Sequence, residues 1–146
     1  MKTRRIITWA LAIFGSANGI FIAFLFGGYQ LNGGDSLPSL LPLPGLYLLE
    51  IGLASILALL AVWRIQGSES QPWQAVLWSI TGILLAFVIL GAWSIGIPLA
   101  PTFLAFLIVN ILLAGGDRQR LVRGFATLSA AGLIQAAIIL ILVWIW

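Results

Sequence analysis

A single carboxylic acid is the residue best placed for chemistry in this sequence. Only four residues are acidic, and Glu50 alone lies inside a long apolar stretch. A carboxyl group within a bilayer is costly unless it is protonated, hydrogen-bonded or open to water. No Lys or Arg is available to pair with it, because all seven basic residues lie outside the apolar stretches. Hydrogen bonds or protonation must therefore meet most of its need.

Other polar side chains fall at comparable depths when helical residues are counted at about 1.5 Å each. We predict one polar cluster in the outer half and midplane, formed by Glu50, Asn18, Ser55 and Gln135. Thr81 and Asn110 are predicted as a second contact nearer the inner side. Two interpretations stay open. The groups are either hydrogen bonds that fix the helices, or a proton, cation or polar-ligand site open to the outside.

Catalysis finds little support in the residue types present. The chain has no Cys and no His, which excludes disulfides, thiolate metal sites, haem ligation by histidine and histidine acid–base catalysis. The sequence also shows no close carboxylate pair, metal-ligand spacing or glycine-rich phosphate loop. We therefore expect no enzymatic activity, no cofactor and no metal.

The composition predicts the environment in which these residues work. Hydrophobic residues make up 62% of the 146 and charged residues 8%, whereas a soluble domain is roughly half apolar and about a quarter charged. No stretch alternates apolar and polar residues as a barrel strand does, so helices are the spanning option. The sequence predicts an all-α integral membrane protein, with residues 1–146 forming a single transmembrane domain.

Five stretches approach the roughly 20 apolar residues that a bilayer core of about 30 Å requires. They cover about residues 6–27, 45–63, 73–93, 97–115 and 124–146. The third and fourth are separated by a segment whose glycine and prolines break a helix. We favour a tight hairpin between two spans; the alternative has four spans with a broken or re-entrant segment at 94–115.

The distribution of positive charge favours the five-helix bundle. All seven basic residues fall on one side only if two crossings separate Arg64 from Arg118. That arrangement predicts a cytoplasmic N-terminus, an outside C-terminus and a plasma membrane location, which in a bacterium is the inner membrane. The basic residues expected to contact anionic lipid headgroups are Arg4, Arg5, Arg118, Arg120 and Arg123. Orientation and headgroup contact explain them more simply than nucleic acid, for which no binding is expected.

Small residues repeat every four positions along the first span. Gly15, Gly19, Ala23 and Gly27 share one helical face, and such stripes let helix backbones approach closely in lipid. Packing within the bundle is the simpler interpretation. The alternative is contact with a partner or a second copy, and Ala126 and Ala130 offer a comparable stripe in the fifth span.

Two functional classes follow from these features. The first is a non-catalytic, multi-pass membrane protein, a small accessory or structural subunit that packs against other membrane proteins or lipid. The second is an oligomeric channel or transporter with Glu50 as its intramembrane polar site. The sequence resembles no family that would decide between them.

Overall fold

The computed structural model describes residues 2–32, 45–67, 71–92 and 94–145. The regular elements in these ranges are all helices: α1 Lys2–Asn32, α2 Gly45–Gly67, α3 Gln71–Leu90, α4 Gly96–Ala114 and α5 Arg118–Ile145. Each of the five is long and apolar enough to cross a membrane, with a mean hydropathy between 1.9 and 2.4 over its most apolar part. The all-helical prediction is therefore confirmed.

Four of the helices form a closed ring, and the fifth lies outside it. The first helix packs against α2 and α4, and α3 also packs against α2 and α4. α5 packs mainly on α3 and touches α4 only at its edge. The largest fully buried apolar side chains fill the centre of the ring: Phe106, Ile51, Leu77, Leu84 and Leu99.

The turn between α3 and α4 is tight because two glycines allow the backbones to meet. Gly96 N donates to Gly91 O over 2.6 Å, and a Cβ at Gly96 would lie 2.6 Å from the Gly91 carbonyl carbon. The alternative prediction allowed a broken segment at 94–115, but residues 96–114 form one continuous helix. Pro98 lies in the first turn, where its missing N–H costs no helical bond, and the helix continues through Pro101.

α5 begins six residues earlier than the predicted span because Asp117 caps it. One carboxylate oxygen, Oδ1, accepts from the backbone N–H groups of Gln119 at 2.9 Å and Arg120 at 3.3 Å. The other, Oδ2, lies 3.2 Å from Arg120 Nε. These bonds satisfy N–H groups that a helix leaves unpaired at its first turn.

Glycines allow α5 to lie directly against α3. A Cβ at Gly82 would collide with the Leu128 carbonyl oxygen and lie 3.0 Å from Gly132 N. Trp78 lies one helical turn before Gly82 on α3, and its indole covers Gly124 of α5. The ring centroids of Trp78 and Phe125 are 5.1 Å apart. This seam of small residues holds the peripheral helix in place by close backbone contact.

Candidate functional site: interhelical polar contacts

Glu50 meets Gln135 near the beginning of α2. Gln135 Nε2 donates to Glu50 Oε2 over 3.0 Å. The glutamate is half-buried, and Gln135 is only 6% exposed. Because α5 otherwise packs on α3 and α4, this bond ties the peripheral helix to α2 across the surface of the bundle.

A tyrosine lies beside this pair. Tyr47 precedes Glu50 by one helical turn, so the two side chains share a face of α2. The Tyr47 ring packs edge-on against Phe87 with centroids 5.8 Å apart. Its hydroxyl oxygen is buried and has no hydrogen-bond partner among the described residues. The spacing of Tyr47 along the sequence gives no signal of a buried hydroxyl.

The predicted cluster of four polar residues is not one cluster in the part of the chain described. Asn18 Nδ2 instead donates to Thr102 Oγ1 over 2.8 Å and to Pro98 O over 3.3 Å, which joins α1 to α4. Ser55 Oγ donates to Ile51 O within its own helix, while Ser55 O accepts from Ser16 Oγ over 2.9 Å.

Helix rotation explains this difference. Ser55 lies five positions after Glu50, which turns it about 140° around the helix axis. Glu50 therefore faces α5 while Ser55 faces α1. The depths were comparable, but residues at equal depth meet only when their helices also turn them toward each other.

The second predicted contact is confirmed. Asn110, 2% exposed, donates from Nδ2 to Thr81 Oγ1 over 2.8 Å and more distantly to Leu77 O at 3.5 Å. Thr81 Oγ1 in turn donates to Leu77 O over 2.8 Å. The three groups form a buried chain of hydrogen bonds between α3 and α4.

The small residues of α1 face the protein's own helices. A Cβ at Gly15 would lie 3.2 Å from Ala105 Cβ of α4, and one at Gly27 would lie 3.9 Å from a Leu48 methyl of α2. Gly19 lies against Ser55 and Thr102, so it faces α2 and α4 together. Ala23 contacts Gly52 of α2. By contrast, Ala126 and Ala130 of α5 are exposed.

The predicted headgroup arginines separate into two groups at one end of the bundle. Arg4, Arg5 and Arg120 line a cavity of about 780 Å³ where α1, α3 and α5 begin and α2 and α4 end. Arg118 and Arg123 are exposed and do not line it. Arg64, at the end of α2, lies 5.3 Å from the Trp63 ring centroid and 5.8 Å from that of Trp73.

Among the described residues, no group of three or more carboxylates lies close enough together to hold a metal ion. The polar side chains that meet within the apolar parts of the described helices are amides, hydroxyls and one carboxyl, whose shared chemistry is hydrogen bonding. Comparison with protein families, curated proteins and solved structures gives no match for this chain.

Proposed function

We propose that this protein is a non-catalytic, multi-pass membrane protein that serves as a small accessory or structural subunit. The observation that carries the proposal is the position of α5. This helix packs mainly on α3 and leaves most of its length exposed. Its open surface carries a run of mostly small side chains: Ala126, Ser129, Ala130, Leu133 and Ala137. In lipid, small residues favour helix association because they let a neighbouring backbone approach closely.

The buried polar groups support the same proposal. Asn18, Ser16 and Asn110 each donate to an atom of a neighbouring helix. Such bonds stabilise a helical bundle in a bilayer. The polar side chains of the ring thus serve its assembly, and the surface of α5 remains for a partner.

We place this subunit in the plasma membrane with its N-terminus in the cytoplasm. The support is the positive-charge bias, since the starts of α1 and α5 and the end of α2 carry the described basic residues. Lipid covers the remaining apolar surface, and the positive charge at the cytoplasmic end attracts anionic headgroups.

The experiment that tests this role compares two variants with the same chemical change. Ala130→Leu adds bulk to the exposed small stripe of α5, and Ala17→Leu adds it to an exposed position of α1. Each variant is extracted from its source membrane in a mild detergent, and the chains that copurify in fixed proportion are identified. We expect Ala130→Leu to deplete the partner and Ala17→Leu to retain it. If both variants retain the partner equally, the exposed face of α5 is not the surface that binds it.

An oligomeric channel or transporter is the second candidate, and one observation favours it. The buried Tyr47 hydroxyl has no partner among the described residues, and it lies one turn from the Glu50–Gln135 pair. A carboxyl group and a free hydroxyl on one helical face can bind a proton or a cation.

Measuring proton or cation flux in proteoliposomes distinguishes the accessory subunit from the channel or transporter. Glu50→Gln removes the intramembrane carboxyl, and Asp117→Asn removes an exposed one while keeping a good helix cap. A transporter that uses Glu50 would lose flux in the first variant alone. If the protein is an accessory subunit, replacing Glu50 is expected to change the flux no more than replacing Asp117 does.

A further inference from the structure

The cavity at the basic end of the bundle is built from the termini of all five helices. Its volume is about 780 Å³. Among the described residues of its lining, Lys2, Arg4, Arg5 and Arg120 supply four positive charges and Asp117 supplies one negative charge. Four of the chain's seven basic residues therefore line this one cavity.

Two of the guanidinium groups contact a polar neighbour. Arg5 Nε donates to Gln66 Oε1 over 3.1 Å, and Arg120 Nε lies 3.2 Å from Asp117 Oδ2. Each guanidinium engages through Nε, and its two terminal nitrogens carry four further N–H donors. A planar donor set of this kind matches the oxygens of a phosphate group.

Apolar residues also line the cavity: Ile65 of α2 and Leu112, Leu113 and Ala114 of α4. Thr8 of α1 lines it as well; this residue is buried, and its hydroxyl donates to Arg4 O over 2.9 Å. The lining thus combines basic side chains with an apolar surface.

We propose that this cavity binds a phosphate group through Lys2, Arg4, Arg5 and Arg120. The phosphate belongs either to a phospholipid headgroup or to a soluble phosphate compound, and the recognition chemistry is the same. Arg118 and Arg123 lie at the same end of the bundle but outside the cavity, so the proposal assigns them no direct contact with the phosphate. The inference does not rest on the accessory role.

The test compares two double variants that each remove two positive charges. Arg4→Gln with Arg5→Gln empties the cavity of two cations, and Arg118→Gln with Arg123→Gln removes two exposed cations beside it. The whole protein is purified in a neutral detergent, and thermal unfolding confirms that each variant is folded. Binding of phosphatidic acid, with phosphatidylcholine as the neutral competitor, is measured by native mass spectrometry. Binding of inorganic phosphate is measured by calorimetry.

We expect the cavity variant to lose about tenfold or more in affinity for phosphatidic acid, because each charge-assisted contact is strong. The control variant is expected to lose less than about threefold, since its charges act only at a distance. If inorganic phosphate binds and competes with the lipid, the ligand is soluble; if only the lipid binds, it is a headgroup. Equal losses in the two variants, or a wild type that binds neither phosphatidic acid nor inorganic phosphate, would overturn the proposal.

Should the cavity variant fail to fold, Arg120→Gln alone replaces it, with Arg123→Gln as its control. Both residues lie in the first two turns of α5, and only Arg120 lines the cavity. The same difference in affinity is then expected, and its absence contradicts the site.

Discussion

Gln135 Nε2 lies 3.0 Å from Glu50 Oε2, and this bond joins α5 to α2, although α5 otherwise packs on α3 and α4. The only described acidic residue within an apolar helix is therefore paired with an amide rather than with a basic residue. An amide satisfies a carboxyl oxygen whether or not the acid is ionised, because the amide remains a donor in both states.

The Glu50–Gln135 bond is expected to stabilise the attachment of α5. In a double-mutant cycle of Glu50→Leu and Gln135→Leu, we expect a coupling of about 0.6 kcal/mol, and at most about 1.7 kcal/mol, as for other side-chain hydrogen bonds between membrane helices. Unfolding in mixed micelles measures it. The cycle isolates the interaction energy of the pair, because the separate cost of replacing each polar group cancels. A coupling of zero within error would mean that the two residues are neighbours without a stabilising bond.

Close packing between α3 and α5 is expected to make Gly82 intolerant of any side chain. Gly82→Ala introduces a Cβ that collides with Leu128 O, so we expect a loss of about 1–3 kcal/mol in the free energy of unfolding. Gly28→Ala is the control, since a Cβ there meets no atom within 4 Å and alanine favours a helix by about 1 kcal/mol. Chemical unfolding in detergent checks both. If Gly82→Ala and Gly28→Ala had similar free energies of unfolding, the close contact between α3 and α5 at Gly82 would be contradicted.

The hydroxyl of Thr81 is expected to contribute more to the free energy of unfolding than that of Thr127. Thr81→Val removes the acceptor of Asn110 in a buried site, which we expect to cost about 1–3 kcal/mol because the amide loses its closest partner. Thr127→Val makes the same chemical change at an exposed site, where the hydroxyl contacts only Arg123 O of its own helix. We expect that cost to stay below about 0.5 kcal/mol. Equal costs would argue against the Asn110 contact.

The length of the apolar stretches predicts the helices better than depth predicts the contacts between them. The five apolar stretches predict five helices, because a chain segment in lipid must satisfy its backbone hydrogen bonds within itself. Thr81 and Asn110 were paired correctly by depth. Asn18 was not, because depth says nothing about which way a helix is rotated, and α1 turns it toward Thr102. The early start of α5 depended on Asp117 as a cap, a signal present in the sequence but outside the apolar stretch.

The proposed orientation is expected to appear in chemical labelling. The chain contains no cysteine, so one introduced thiol reports one position. Ser94→Cys lies in the turn between α3 and α4, and Gln119→Cys lies at the start of α5; both positions are exposed. A membrane-impermeant maleimide is expected to label position 94 in intact cells and position 119 only after permeabilisation. The reverse pattern would invert the orientation.

Native mass spectrometry of the complex extracted from the source membrane tests the proposed accessory role. We expect a stoichiometric complex with at least one unrelated membrane protein. We also expect Ala130→Leu to dissociate this complex and Ala17→Leu to leave it intact. A homo-oligomer with no other chain, observed for the wild type in the same mild detergent, would argue against the accessory role and favour the channel or transporter.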